Sequence, residues 1–500
     1  MTNRILTGNA VGGTVATVTD RAITLYVRTD GADTNTGLVD TAGGALLTVQ
    51  AAIDKLPKFI RHATTINIGA GNFAGFTLTG NIIEGLGNQG LTIRGAAYVA
   101  FTVATGTNSG TATGGTTTTL IDGGQTWTVN NLRGKILKVG SEYLIIRKND
   151  ATSIETVGAF GTSTSGKAYN IMDWGTNLNS APANTLVGAI VYITVVKATR
   201  MNFNLDRIKI TSLGGANYGL MCFLTDGPYM TYISVDGNNS TLIPFLVGIF
   251  SSVRMKNIVV YNAAATPGSN ILIADGLELR DFSNIFVYSG TVTRGIYVGG
   301  IHEIPSIAYI YADNINNLGL EIGNQQSAAT VSNVKVNNCG TGIRLSNSGY
   351  MTLGTGLYIE NCTIAGVEFR ASPLAYLSGG TITVCGTGLL VDASGSSGGS
   401  TIEASGSLVV TSCTGDAVRV GTNAAVRFTA LTGTGNGGYG IYARYGAKVF
   451  ITSATTITGT GDVKVGAAVK TYAADFDHDG DYVTDVSEGT IVKRKDSFTF

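Results

Sequence analysis

Glu321 and Glu368 are the two residues of this chain best spaced for acid–base chemistry on a glycosidic bond. Each is the third residue of a short motif that recurs along the sequence: Gly295-Ile296-Tyr297-Val298, Gly319-Leu320-Glu321-Ile322, Gly342-Ile343-Arg344-Leu345, Gly366-Val367-Glu368-Phe369 and Gly388-Leu389-Leu390-Val391. The glycines step by 24, 23, 24 and 22 residues. A period in this range marks a solenoid, in which each repeat is one coil buried by its neighbours. Apolar residues on both sides point inward, so the third residue points outward. Two coil spacings of about 4.8 Å place Glu321 and Glu368 about 9.6 Å apart. That approaches the ~6.5–9.5 Å between the acid and the base of an inverting glycosidase.

Read up the coils, the same position gives Tyr297, Glu321, Arg344, Glu368, Leu390, Arg419, Tyr442 and Lys464. One reading is a catalytic pair, Glu321 and Glu368, on a glycan groove whose walls are Tyr297, Arg344, Arg419 and Tyr442. The other is an alternating ladder of ion pairs. Arg344 between the two glutamates would keep both charged, whereas an acid catalyst must hold its proton. The ladder is the better supported reading, and the row suits a contact between subunits equally well. Trp174, beside Gly175 in a polar turn, is a further candidate for stacking on a sugar ring. Trp127, in Thr126-Trp127-Thr128-Val129, reads as core.

Other acids cluster as Asp275, Glu278 and Asp281, and as Asp226 and Asp236; both sets read as solvated turn residues. The segment Asp475-Phe476-Asp477-His478-Asp479-Gly480-Asp481 carries the one metal-like signal. Carboxylates at loop positions 1, 3, 5 and 7 with glycine at 6 have the spacing of a calcium loop. Asp475, Asp477, Asp479 and Asp481 would be its ligands. Position 12 is Val486 where an EF-hand has glutamate, and a solvated acidic turn is the competing reading.

The elements that must position these residues are almost all strands. A second strand precedes each glycine, as in Ile310-Tyr311-Ala312-Asp313-Asn314-Ile315 and Val334-Lys335-Val336-Asn337-Asn338-Cys339. Asn314, Asn338 and Asn361 align, with Asn262 a possible extension of the row. Asparagine tolerates the left-handed conformation of a sharp bend, and stacked amides could bond coil to coil. Cys339, Cys362, Cys385 and Cys413 also align. Without a CxxC cluster, and at an inward strand position, they read as buried free thiols. Leu47 to Leu56 has helical spacing of apolar residues and ends before Pro57. Residues 106–200 break the pattern with a low-complexity stretch and both tryptophans, and read as a small inserted β domain. Residues 1–20 read as an arm, 21–105 as the helix and first coils, 201–470 as the solenoid and 471–500 as a C-terminal cap.

Of the 500 residues 13% are charged and the formal net charge is zero. This gives no electrostatic case for nucleic acid or an anionic membrane. Uncharged polar surface suits neutral hydrogen-bonding ligands. No run of about 18 apolar residues exists to span a membrane. Met1 to Ala10 lacks the apolar run of a secretory signal, which points to synthesis in the cytosol.

Leu25 to Asp54, with Leu-Tyr-Val-Arg-Thr-Asp-Gly-Ala-Asp-Thr-Asn-Thr-Gly leading to Leu-Thr-Val-Gln-Ala-Ala-Ile-Asp, resembles the opening segment of pectate-lyase-like parallel β-helix proteins. Bacteriophage tail spikes and tail-fibre proteins are the closest in style. The resemblance implies an all-β, right-handed parallel β-helix with an N-terminal capping helix. It implies a homotrimer in the virion tail, made in the host cytoplasm, that contacts other tail or baseplate proteins. It also implies binding of host surface polysaccharide, and in some members its cleavage by a glycoside hydrolase or lyase. A bacterial β-helix surface protein outside any virion is the third alternative.

Overall fold

Alternation of buried and half-buried residues builds the strands. In Thr64–Ile68 the first, third and fifth residues are buried and the two between are not. The structure is a computed structural model. It describes residues 19, 21–79, 81–83, 90–180, 189–194, 197–198, 203–212, 218–222, 226–238, 243–248, 252–263, 270–275, 278–288, 292–300, 307–323, 329–346, 350–370, 374–392, 400–421, 424–443, 447–451, 456–457, 459, 461–465, 470–473 and 490–493. The Asp475 to Asp481 loop, and nearly all of residues 1–20, lie outside them.

The chain is all-β, a parallel β-solenoid, and divides into two compact units: Met1–Ala264 with Asp281–Phe286, and Ala265–Arg280 with Val287–Phe500. In the first unit Ile23–Val27 pairs in parallel with Thr64–Ile68, which pairs with Leu91–Arg94, which pairs with Phe203–Thr211. A second parallel stack contains Gly71–Ala74 and Thr176–Ser180, and a third contains Phe76–Thr79, Ala189–Thr194, Tyr218–Cys222 and Ile243–Val247.

The expected helix forms over Val49–Asp54, six residues, shorter than the apolar spacing suggests. Thr48 caps it by accepting from the Ala51 N–H, while Asp33 accepts from the Leu47 and Thr48 N–H groups. Val49, Ala52 and Ile53 are its buried face.

An antiparallel eight-stranded sheet interrupts the first unit. Its strands run from Val99–Ala100 to Ala168–Asp173. Solenoid pairing resumes at Thr176, opposite Gly71, so the module is shorter than the 106–200 expected from the sequence. Thr111, in the low-complexity stretch, lies on its strand Ser109–Thr111, which pairs with Ala168–Asp173. Its core is built on Trp127, Leu137, Ile146, Ile154, Phe160 and Tyr169. Trp127 is core, as the sequence indicates, with its indole N–H donating to the Thr107 carbonyl at 3.0 Å.

Among the described residues of the second unit, the strands that carry the motif glycines stack in register. One stack joins Arg294–Gly299, Leu318–Gly323, Thr341–Ser346, Ala365–Arg370, Thr387–Asp392, Val418–Val420, Tyr439–Ala443 and Gly461–Val465. The motif glycines are required here by proximity. A Cβ on Gly342 would stand 2.5 Å from the Gly366 carbonyl oxygen, and one on Gly366 would stand 2.8 Å from that of Gly388. The stacked cysteines lie inside this approach: the Cys362 sulfur is 3.2 Å from the same hypothetical Gly342 Cβ. All five cysteines are buried and unbridged. Burial pushes the Cys339 thiol up to about 12 and the Cys413 thiol up to about 11.

Asn314, Asn338 and Asn361 bend the chain with φ of 57°, 52° and 55°, and Asn262 does so in the first unit with φ of 54°. The amide contacts are not those expected. Asn361 Nδ2 donates to Asn337 Oδ1 at 2.9 Å, and Asn337 Nδ2 donates to Asp313 Oδ1 at 3.2 Å. The corner amide of Asn361 reaches the residue before the bend one coil below, so the bonded row runs mainly through that position.

Candidate functional site

The outward row is built as its spacing requires. Tyr297 is opposite Glu321, Glu321 opposite Arg344, Arg344 opposite Glu368, and Glu368 opposite Leu390. Leu390, Arg419, Tyr442 and Lys464 continue it. The buried residues that aim these side chains are their strand neighbours, such as Leu320 and Ile322 around Glu321 and Val367 and Phe369 around Glu368.

Each carboxylate in the row has its own arginine. Glu368 is 3% exposed and lies between two guanidinium groups. Arg344 Nε reaches Oε2 at 2.8 Å, and Arg370 Nε reaches Oε1. Glu321 is 7% exposed. Its Oε2 faces Arg294 Nε at 2.9 Å, and its Oε1 accepts from the Ser346 hydroxyl at 3.2 Å. The single arginine expected to bridge both glutamates therefore serves Glu368 alone. The reason is that Arg294 sits one residue before its own motif glycine and reaches up to Glu321 first. Higher in the row, Arg419 Nη2 contacts Asp416 Oδ2 at 2.7 Å. Asp416 Oδ1 accepts from the Tyr439 N–H, which locks the pair to the next coil.

Tyrosine rings stand beside these pairs. The Arg294 guanidinium lies 5.2 Å from the Tyr297 ring centre, and that of Arg419 lies 5.8 Å from Tyr442. Tyr439 and Tyr442 are 5.9 Å apart and tilted by 45°. Tyr297 lies along its strand because Gly299 leaves room: a Cβ there would be 2.3 Å from the tyrosine oxygen. Arg294, Arg370, Asp416 and Tyr439 flank the motif positions and were not singled out from the sequence. Reading one residue to either side of each four-residue motif would have found all four.

A second outward row, also missed, lies on the strands ahead of the glycines. Tyr311 is opposite Lys335, which is opposite Tyr358. Beside it stand Asp313, Asn337 and Glu360, with the Tyr358 hydroxyl donating to Glu360 Oε2 at 3.1 Å. Asp313 and Tyr311 are nearly covered, whereas Tyr358 is 38% exposed.

Trp174 does not lie open for stacking, contrary to the expectation from its polar turn. It is 6% exposed, and its indole N–H donates to the Gly134 carbonyl at 2.9 Å. Its ring meets Tyr98 edge-on at 5.6 Å, and Tyr98 in turn meets Tyr143 and Tyr232. This cluster seats the antiparallel module on the coil of Tyr232. Burial raises the Tyr98 and Tyr232 hydroxyls above the ordinary tyrosine range.

Asp236 accepts from the Asn262 amide and Asp281 from the Ser283 hydroxyl, so both acids are tied locally. A groove of about 610 Å³ lies beside the helix in the first unit, lined in part by Thr48, Gln50, Asp54, Lys58, Thr77 and Thr79, and contains none of the row. Among the described residues no helix is long and apolar enough to cross a membrane.

No protein-family model matches the chain, and no curated protein matches it. Solved phage tailspikes are among its structural likenesses. The tailspike protein gp49 from Pseudomonas phage LKA1 is 12% identical, with 92% of this chain and 70% of that one covered and a TM-score of 0.31. The gp54 tailspike of Acinetobacter baumannii bacteriophage AP22, solved with A. baumannii capsular saccharide, is 11% identical over 86% and 74% with a TM-score of 0.27. A complex of XylC with xylose is 9% identical over 95% and 86% with a TM-score of 0.28.

Proposed function

We propose that the outward row from Tyr297 to Tyr442 binds a host cell-surface polysaccharide, the chain acting as a receptor-binding tail appendage of a phage. On this reading it works as a homotrimer in the virion, joined to other tail proteins. The observation that carries it is the row itself, in register over seven coils, with its charges paired internally and tyrosine rings beside them. A row whose carboxylates are already matched by arginines offers little to a strongly charged ligand. Tyrosine faces and the outer N–H groups of half-exposed arginines suit uncharged sugar hydroxyls.

The same pairing favours binding over cleavage. Both carboxylate oxygens of Glu368 are engaged by arginines and the side chain is 4% exposed, so neither oxygen is left to meet a glycosidic bond. The test is binding of purified capsular or lipopolysaccharide glycan to the whole protein, by calorimetry. Tyr442→Ala and Tyr297→Ala should each weaken binding about tenfold, the loss of one stacking contact. Unchanged affinity in both would overturn the proposal. Shortening of the glycan by the wild-type protein, lost in Glu368→Gln at unchanged fold stability, would put cleavage in its place.

A further inference from the structure

The outward row has the same three groups at each end. At the lower end Arg294 Nε holds Glu321 Oε2 at 2.9 Å, and its guanidinium lies 5.2 Å from the Tyr297 ring centre. At the upper end Arg419 Nη2 holds Asp416 Oδ2 at 2.7 Å, and its guanidinium lies 5.8 Å from the Tyr442 ring centre. Each end is therefore a triad of carboxylate, guanidinium and ring. The two are assembled by different routes. Arg294 and Tyr297 share a strand, with the carboxylate one coil above. Arg419 and Asp416 share a coil, with the ring one coil above. Copying of the repeat does not account for both.

Between the triads the row changes character. Glu321 and Glu368 are covered, Arg344 is 17% exposed, and Leu390 has no hydrogen-bonding atom. Arg370 is more exposed but stands one outward position to the side, opposite Ser346 and Asp392. The end guanidinium groups are 39% exposed at Arg294 and 35% at Arg419, and Tyr297 and Tyr442 are half-buried. Each arginine has five N–H donors, of which its carboxylate takes one or two. The register fixes how far apart the triads stand. Tyr297 to Tyr442 is six steps of the stack, or about 29 Å at about 4.8 Å per step.

We infer that the row holds one extended glycan at two separate sites, Arg294 with Tyr297 and Arg419 with Tyr442, so that ligand length sets affinity. The inference rests on the glycan reading above and adds how the ligand is held. Each guanidinium is already pinned by its carboxylate, so a sugar hydroxyl meets a donor that loses little freedom on binding. The ring beside it supplies apolar area for the sugar face. A fragment shorter than about 29 Å reaches one site at a time. A chain that spans both makes the second contact within the same complex, at the effective concentration that the first contact creates. The stretch between offers few donors, so affinity rises in one step at the spanning length instead of climbing with each added sugar.

The test takes size-fractionated fragments of the capsular or lipopolysaccharide glycan that the full-length protein binds, and measures each by calorimetry. Fragments too short to span should bind at two sites per chain. Spanning fragments should bind at one, at least about tenfold more tightly. Tyr297→Ala and Tyr442→Ala should each remove one short-fragment site, leave the affinity of the other unchanged, and erase the gain of the spanning fragments. Affinity that climbs evenly with length, or short fragments that bind at one site per chain of wild type, overturns the two-site inference and leaves glycan binding standing. A wild-type protein that binds none of these glycans at any length overturns both.

Discussion

Replacing Glu368 by glutamine separates a structural carboxylate from a catalytic one. The side chain is 4% exposed and held by Arg344, itself 17% exposed, and by Arg370, which is 53% exposed. Removing one partner of a buried ion pair costs about 3–5 kcal/mol, because the other charge is left without compensation. Arg370 can turn to water, and glutamine keeps one acceptor for Arg344, so about 2–3 kcal/mol is expected here. Glu321→Gln should cost less. Arg294 is 39% exposed and can turn away, and the Ser346 hydroxyl can still donate to the glutamine carbonyl, which leaves a loss of about 1 kcal/mol. Urea denaturation of the two variants beside wild type measures both. The ordering is the critical result: Glu368→Gln must be the less stable. Equal losses, or a Glu368→Gln protein as stable as wild type, would refute the ion-cluster reasoning.

Gly366→Ala should destabilise by about 1–3 kcal/mol, since the new methyl would stand 2.3 Å from Ile382 Cγ2 and 2.8 Å from the Gly388 carbonyl oxygen. Gly43→Ala, with nothing within 4 Å, should be neutral or gain up to about 1 kcal/mol; thermal melts that fail to separate the two would contradict the close-approach account. The buried thiols of Cys339 and Cys413 make stability fall at alkaline pH. Their folded values are raised, so the protonated form is favoured in the fold; this contribution is intact below about 8.5, the unfolded value. It is lost as pH rises towards about 11 for Cys413 and about 12 for Cys339. Chevron or melt data from pH 8 to 11 should show this decline, reduced in a Cys413→Ala variant. Trp174→Phe removes the indole bond to Gly134 and should lower the stability of the antiparallel module while leaving glycan affinity unchanged. A loss of affinity at unchanged stability would restore Trp174 as a binding residue.

The repeat made much of the solenoid legible. Equal spacing of glycines forces equal coils, and equal coils force the register that places Tyr297, Glu321, Arg344 and Glu368 in one line. Alternation likewise marked the buried cysteines and the inward strand positions. Periodicity could say which residues share a row, but not how long side chains choose among partners a few ångströms apart. Arg294, outside the motif, took the role expected of Arg344 because a guanidinium on a flexible stem reaches across one coil spacing. The corner asparagines were legible as bends, since left-handed backbone is a local property. Their amide contacts were not, because side-chain direction after a bend depends on the coil below.

Sequence alone therefore determined the coil, its core and the order of residues along each face, because these follow from period and polarity repeated many times. Tertiary structure decided which charges neutralise one another, that Trp174 is covered by a neighbouring module, and that an arginine stands beside a tyrosine ring at each end of the outward row. Those outcomes depend on single contacts between residues far apart in the chain, and no repeated pattern encodes them.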